Sequence, residues 1–310
     1  MQRQADLRCP VCSSGAEEFL SAPDRFHGRS EMYHLVRCLS CTLVWLENPP
    51  APDQMYKHYG DDYDRAIAAG GARPDHWVWR REELQRFKSS GSVLDLGCGS
   101  GGFLATFPQG AWQLYGIEMS TEMAERAKAR CGAQVFVGDI LDAPFEDASF
   151  DAVTCFNVFE HCYEPAAVLR KVSAWLKPGG IFYTMMPNID SAGLRMFGSY
   201  WYALELPRHL YHFSPKTLTN MASASGLRMI ELTTLRDLYT DASVRYIVDK
   251  ALKKIGISRT PLARVRRSSF GWRAARKIMR EASKPFFVGA ASFLGDKEMM
   301  HALFVKDAKS

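Results

Sequence analysis

The sequence predicts an α/β protein built on a mostly parallel sheet with helices on both faces. Three observations carry that prediction. Short apolar runs alternate with helical patterns from residue 92 to about 234, and the first run ends in a glycine cluster at 97–102. The stop Lys177-Pro178-Gly179-Gly180 then separates a helical pattern from another apolar run. At 310 residues, 47% hydrophobic and 24% charged, the chain is neither disordered nor collagen-like, and it has enough core for about two domains.

Each element follows in order. Residues 47–90 form a connector: Asn48-Pro49-Pro50-Ala51-Pro52 is a stiff break, 66–71 is a small-residue stretch, and 75–88 predicts a helix with Asp75 as its cap. Residues 92–96 predict the first strand, which the glycine cluster should hand over to a helix. Residues 113–117 predict the second strand, followed by a helix capped by Ser120 or Thr121 and running to Arg130. Residues 134–137 and 150–156 predict the third and fourth strands. Apolar residues at 168, 169, 172, 175 and 176 share one face of a helix. Residues 181–186 predict the fifth strand, 215–224 a helix, 227–233 the sixth strand and 300–306 the last.

The charge is uneven. Net charge is +5, yet residues 241–284 hold 13 basic residues against three acids, so a mildly acidic body carries one basic element. Val244, Ile247, Val248, Ala251, Leu252 and Ile255 lie on one helical face there, with Lys250, Lys253 and Lys254 away from its centre. Further on, Phe270, Trp272, Ile278 and Met279 are interleaved with Arg273, Arg276, Lys277 and Arg280. Basic residues beside apolar ones suit an anionic membrane surface; a packed lid helix with its charges in water, and contact with an anionic substrate or nucleic acid, are the other readings. The uncharged run 285–295 is eleven residues, roughly half a membrane span, so no transmembrane helix is expected. The N-terminus has no apolar signal region, so a cytoplasmic protein is expected, with peripheral contact to the inner face of the membrane.

Gly97, Gly99 and Gly102 satisfy the G-x-G-x-x-G spacing, in which missing side chains let a ligand approach the backbone. Glu118, about twenty residues on, is placed for ribose hydroxyls. A nicotinamide or flavin cofactor fits these features too, until Asp95 and the downstream motifs are added. Val93-Leu94-Asp95-Leu96-Gly97-Cys98-Gly99-Ser100-Gly101 resembles the first motif of class I S-adenosylmethionine-dependent methyltransferases. Val137-Gly138-Asp139 is similar to their third-strand motif, and Phe150-Asp151-Ala152-Val153 to their fourth strand. Residues 157–161 and Leu176-Lys177-Pro178-Gly179-Gly180 resemble the small-molecule branch that includes the quinone-biosynthesis enzymes.

The resemblance covers about residues 91–235 and implies a Rossmann-like, doubly wound, mostly parallel seven-stranded sheet. It also implies S-adenosyl-L-methionine as cofactor and a set of roles. Asp95 would orient the methionine amino group while the backbone of Gly97, Cys98, Gly99 and Gly101 packs against the cofactor. Glu118 would hold the ribose diol. Asp139 would accept a hydrogen bond from the adenine amino group, with Ile140 against the ring. Met119 and Asn157 complete the candidate set.

Methyl transfer from a sulfonium needs little covalent help, because the positive sulfur leaves readily and positioning with water excluded dominates. An oxygen nucleophile must still lose its proton, and a nearby histidine or carboxylate is the usual base. His161 follows the fourth strand, at the carboxyl edge where open parallel sheets bind ligands. His209 and His212 lie in 207–215, which resembles a substrate-side motif of the same branch. His161 also reads as a hydrogen-bonded helix-start residue near the cofactor, while His209 and His212 are candidates for a substrate-proximal role. Tyr59 and Tyr63 either cover the pocket or pack the connector.

Cys9-Pro10-Val11-Cys12 and Cys38-Leu39-Ser40-Cys41 form two C-x2-C pairs. Four thiolates close a tetrahedral shell, which points to structural Zn2+. With no secretory signal, a disulfide framework is not expected. Cys131, Cys155 and Cys162 have no paired spacing and are expected to pack in the core. The module resembles the zinc-binding unit that precedes the catalytic domain of deoxysugar C-methyltransferases, although their further C-terminal domain is not recognised here.

The expected organisation is a zinc-binding module at 1–46, the connector at 47–90, the cofactor core at 91–235, a basic helical insertion at 236–298 and a final strand and tail at 299–310. The expected activity is methylation, at oxygen, of a small or lipid-linked acceptor such as a glycan, lipid or quinone-like intermediate. Sugar C-methylation, RNA methylation and a non-catalytic zinc-ribbon adaptor are the alternatives. Nucleic acid is disfavoured because Asn157-Val158-Phe159-Glu160 stands where many base-amine methylators resemble Asn-Pro-Pro-Tyr.

Overall fold

The computed structural model describes residues 7–59, 74–108, 110–235, 239–254, 270–295 and 297–307. Tyr63, the stretch 66–71, Ile255, Arg259, Arg264, Arg266 and Arg267 lie outside the described residues. So do the side chains of Asp75, Lys253, Phe270, Trp272, Arg273 and Arg276. The chain divides into two compact units: residues 1–58, 187–214 and 234–300 make the first, and residues 59–186, 215–233 and 301–310 the second.

The strands, in chain order, are β1 (Ala16–Pro23), β2 (Met32–Cys38), β3 (Val44–Leu46), β4 (Gly91–Leu96), β5 (Trp112–Glu118), β6 (Gln134–Val137), β7 (Phe150–Phe156), β8 (Leu176–Pro187), β9 (Tyr211–His212), β10 (Leu227–Leu235) and β11 (Met299–Lys306). Seven of them form one sheet in the order β10-β11-β8-β7-β4-β5-β6. The pairings β4–β5, β4–β7, β5–β6 and β7–β8 are all parallel. The chain therefore runs outward from β4 through β5 to β6, then returns to β7 on the other side of β4. That reversal opens a crevice beyond the carboxyl ends of β4 and β7, the usual ligand site of such sheets. Val93, Leu94, Leu96, Val153 and Cys155 are fully buried, the pattern of central strands covered on both faces. The seven-stranded Rossmann-like sheet is thus the one the alternation predicts.

The helices Thr121–Cys131, Pro165–Trp175 and Pro215–Ala224 also fall where the periodicity puts them. Ser120 is the cap of the first, its hydroxyl accepting from the Met123 N–H. Two local expectations are corrected. The entry helix is Pro74–Gln85 among the described residues, so Asp75 lies within the helix and is not its cap. The glycine cluster leads into a single 3-10 turn, Leu104–Thr106, in place of a longer helix. Only five residues separate Gly102 from Pro108, too few for a stable α-helical nucleus before a residue that disfavours the helix.

The first unit holds the other sheet, ordered β1-β2-β3-β9. β1–β2, β2–β3 and β3–β9 pair antiparallel, with Val44 opposite His212 and Trp45 opposite Tyr211. Two residues from far along the chain thus complete the N-terminal sheet. The helices Tyr239–Lys254 and Phe270–Phe293 belong to this unit. Val244, Val248 and Leu252 are buried as their spacing predicts. Among the described residues no helix is long and apolar enough to cross a membrane.

Candidate functional site

The carboxyl edge of β4–β7 collects the candidate cofactor residues. Asp95, near the end of β4, is 4% exposed and accepts a 2.7 Å hydrogen bond from the Thr154 hydroxyl of β7. Burial pushes its carboxyl up to about 7; the Thr154 hydroxyl opposes this and the Glu118 charge adds to it. The N–H groups of Gly97 and Cys98 both donate to the Ile117 carbonyl, at 2.8 and 3.0 Å, which ties the loop to β5. Glu118 accepts from the Gly99 N–H at 2.9 Å and from the Ser120 N–H at 2.8 Å, linking the loop to the next helix. Gly99 has φ +52, and a Cβ built there would meet nothing within 4 Å, so the loop presents open backbone where a ligand can lie.

The remaining candidates follow along the same edge. Met119 is 75% exposed just beyond β5. Asp139, exposed beyond β6, accepts from the Leu141 N–H at 2.8 Å, with Ile140 half-buried beside it. Asn157, exposed beyond β7, donates its N–H to the Met185 carbonyl at 2.8 Å. A buried carboxyl, a loop whose backbone is open at Gly99 and a second carboxylate on the adjacent strand suit a ligand with a cationic end and a ribose, so these residues fit S-adenosylmethionine.

His161 sits on the 3-10 turn Phe159–His161 directly after β7 and is half-buried, its Nδ1 3.2 Å from the Tyr59 hydroxyl. In the first unit, His209 is buried with Nδ1 2.9 Å from the Ala203 carbonyl, so that nitrogen carries the proton and donates. Burial lowers its pKa to about 3. His212 is buried in β9, its ring centroid 6.1 Å from that of His209.

The methyltransferase-domain family model matches residues 73–232, half of the chain. The chain belongs to that family. It is a methyltransferase that uses S-adenosylmethionine. It is 28% identical over 176 residues to the ubiquinone biosynthesis O-methyltransferase of Burkholderia thailandensis, covering 50% of this chain and 76% of that one. It is 30% identical over 176 residues to the enzyme of the same name from Ralstonia nicotianae, covering 50% and 74%. Phosphoethanolamine N-methyltransferase 2 of Haemonchus contortus, solved with S-adenosyl-L-methionine, superimposes with a TM-score of 0.53 over 94% of this chain and 69% of that one. At 16% identity that likeness speaks for the fold.

The methyltransferase also carries its four N-terminal cysteines as one cluster. Their Sγ atoms all lie within 4.8 Å of one another, with Cys9–Cys41 at 3.6 Å and Cys12–Cys38 at 3.4 Å. Tetrahedral zinc with bonds of about 2.3 Å sets its sulfurs roughly 3.8 Å apart, so the donor set fits that ion. The Val11 N–H donates to Cys9 Sγ, and the N–H groups of Ser40 and Cys41 donate to Cys38 Sγ, at 3.3–3.4 Å. Cys98 and Cys155 are buried and Cys131 and Cys162 partly so; desolvation raises all four thiols, as suits packing cysteines.

Two groups in the methyltransferase escaped sequence reasoning. Gly116 lies behind the cofactor loop, and a Cβ there would sit 2.5 Å from Cys98 Sγ, so only glycine leaves the loop its place. A mid-strand glycine beside a buried cysteine was the available signal. Arg208, fully buried, donates Nε to Glu205 at 3.1 Å and Nη1 to the His58 carbonyl at 2.9 Å, and lies 3.7 Å from buried Asp24. Asp24 also holds His27 at 3.0 Å. Nothing in the spacing of these residues announces a shared charge network.

Proposed function

We propose that this methyltransferase methylates a hydroxyl oxygen of a small or lipid-linked acceptor, such as a glycan, lipid or quinone-like intermediate. The observation that carries the cofactor half is Asp95, a carboxyl kept in the core at the open end of the loop and matched to a cationic ligand. Bound S-adenosylmethionine supplies an electrophilic methyl on a sulfonium. Asp95 orients the methionine amino group, Glu118 exchanges its backbone partners for the ribose hydroxyls, and Asp139 takes the adenine amino group with Ile140 against the ring. Oxygen as the nucleophile is supported by relatives named O-methyltransferases at 28–30% identity.

His161 is the favoured base. It stands at the carboxyl edge of β7 with the Tyr59 hydroxyl on Nδ1. When that hydroxyl accepts the Nδ1 proton, the tautomer is fixed and Nε2 becomes the basic nitrogen that takes the acceptor's proton. His209 is a weaker base, because a group with a pKa near 3 has little drive to take a proton at neutral pH. Zinc in the cysteine cluster is structural in this proposal, since four thiolates leave no open position. Mass spectrometry of lipid and glycan extracts from cells with and without active protein tests the acceptor class. A product heavier by one methylene and absent with inactive protein is expected; a methylated RNA base or sugar carbon as the only difference would overturn it.

A further inference from the structure

The helix Phe270–Phe293 turns an apolar side to solvent. Ile278, Ala282, Pro285, Phe286, Gly289 and Phe293 recur at three- and four-residue spacing, so they share one side, and all six are exposed. Ile278 is 68% exposed, Phe286 72% and Phe293 90%. No charge interrupts this stripe. On the other side Ala291 is buried, the Phe287 ring packs 5.3 Å from Phe197, and Lys284 pairs with Asp241 at 2.5 Å. The helix is thus anchored by one side and left apolar on the other. The two phenylalanines alone present on the order of 300 Å² of apolar surface, a patch size that marks interaction sites on monomers.

Charge identifies the partner. Within the helix Arg273, Arg276, Lys277 and Arg280 stand against Glu281, all before Pro285, while Lys284 is taken up by Asp241 and residues 285–295 carry no charge. The preceding segment 255–269 adds Arg259, Arg264, Arg266 and Arg267 and no acid. A cationic stretch beside an apolar stripe is the composition of a helix that lies in the interface of an anionic bilayer. A second copy of the helix would bring the same excess of positive charge and no acidic surface to meet it.

We propose that the outward side of Phe270–Phe293 docks in the headgroup region of an anionic membrane, with Ile278, Phe286 and Phe293 entering the acyl boundary. The contact differs from the lysines of Tyr239–Lys254, where Lys250 Nζ lies 4.5 Å from the Tyr200 ring centroid. It does not depend on which acceptor is methylated.

The test is sedimentation with vesicles of phosphatidylserine and phosphatidylcholine, without acceptor. The parent protein is expected to pellet at low salt and to be released as salt rises. F286S/F293S should weaken partitioning on the order of 100-fold while S-adenosylmethionine affinity by calorimetry stays unchanged. Should that pair fail to fold, F293W alters a single exposed position, and its emission should shift to the blue on adding these vesicles. Parent protein left in the supernatant at low salt, unaltered pelleting of the folded double variant, or an unshifted F293W spectrum would each overturn the proposal. So would a parent dimer made monomeric by F286S/F293S with no vesicle binding, which would assign the stripe to a second copy.

Discussion

Replacing Asp95 by asparagine should stabilise the ligand-free methyltransferase above neutral pH while removing its hold on S-adenosylmethionine. Burial raises this carboxyl from 3.8 to about 7, against the pull of the Thr154 hydroxyl. The folded protein therefore keeps a proton that the unfolded chain releases at lower pH. Stability from this group is complete below about pH 4 and is lost as pH rises to about 7, after which the loss levels off. At about 1.4 kcal/mol per unit, a shift of that size amounts to about 4 kcal/mol. Asparagine has no ionised form, and the Thr154 hydroxyl can rotate to meet its amide. Denaturant unfolding of both proteins without cofactor, across roughly pH 5 to 8, should show the variant gaining on the parent by about 3 kcal/mol toward the alkaline end. Calorimetry should show cofactor affinity lost in the variant, and in the parent rising with pH up to about 7, because a cationic ligand selects the ionised carboxylate. A stability difference that does not change with pH, or a variant less stable than the parent at about pH 8, would refute the assignment of a buried, protonated Asp95.

Three further outcomes are expected. Gly116→Ala should cost about 1–3 kcal/mol through its clash with Cys98 and weaken cofactor binding, and adding Cys98→Ala should restore both; denaturant unfolding and calorimetry check this. His161→Gln should lower turnover by roughly 100- to 10,000-fold with cofactor affinity intact, whereas His209→Gln should act chiefly on stability. Elemental analysis of freshly purified protein should find one zinc per chain, and Cys38→Ser should release it; metal-free parent protein would remove the assignment.

The second unit is largely legible in the sequence because its information is local. Alternation, caps and glycine stops each act over a few residues, and β4 to β7 with the helix Thr121–Cys131 fall within a residue or two of their predicted bounds. β8 is the exception: it begins at Leu176, ahead of the predicted Ile181, because Leu176 already pairs with Phe150 of β7 before the glycine stop. The positions of the candidate residues Asp95, Glu118, Asp139 and Asn157 at or just beyond strand ends are legible for the same local reason. What stays hidden is long-range. β9 is two residues long and pairs with β3 across most of the chain, so it leaves no periodicity to read. Arg208 and Asp24 meet inside the first unit with nothing in their neighbours to pair them. The outward apolar stripe of Phe270–Phe293 needs the structure, because only packing says which side of an apolar helix is buried.

The cysteine cluster has reach beyond its own turn. Ser13 and Thr42 each follow the second cysteine of a pair, at φ 60 and φ 65, a left-handed conformation that costs a non-glycine residue of order 1 kcal/mol or more. Both turns lead into the four convergent sulfurs, and a metal ion held there would help to offset that cost at each. Cys38 closes β2, β2 pairs with β3, and β3 pairs with β9 through Val44 and His212. Metal binding and folding are coupled in such modules, so the ion would steady the strand that carries His212 without touching it. Chelation should therefore loosen the β9 amides in hydrogen exchange before it affects those of β4 and β7, and equal loss of protection in all three strands would argue that the cluster stabilises only the chain as a whole.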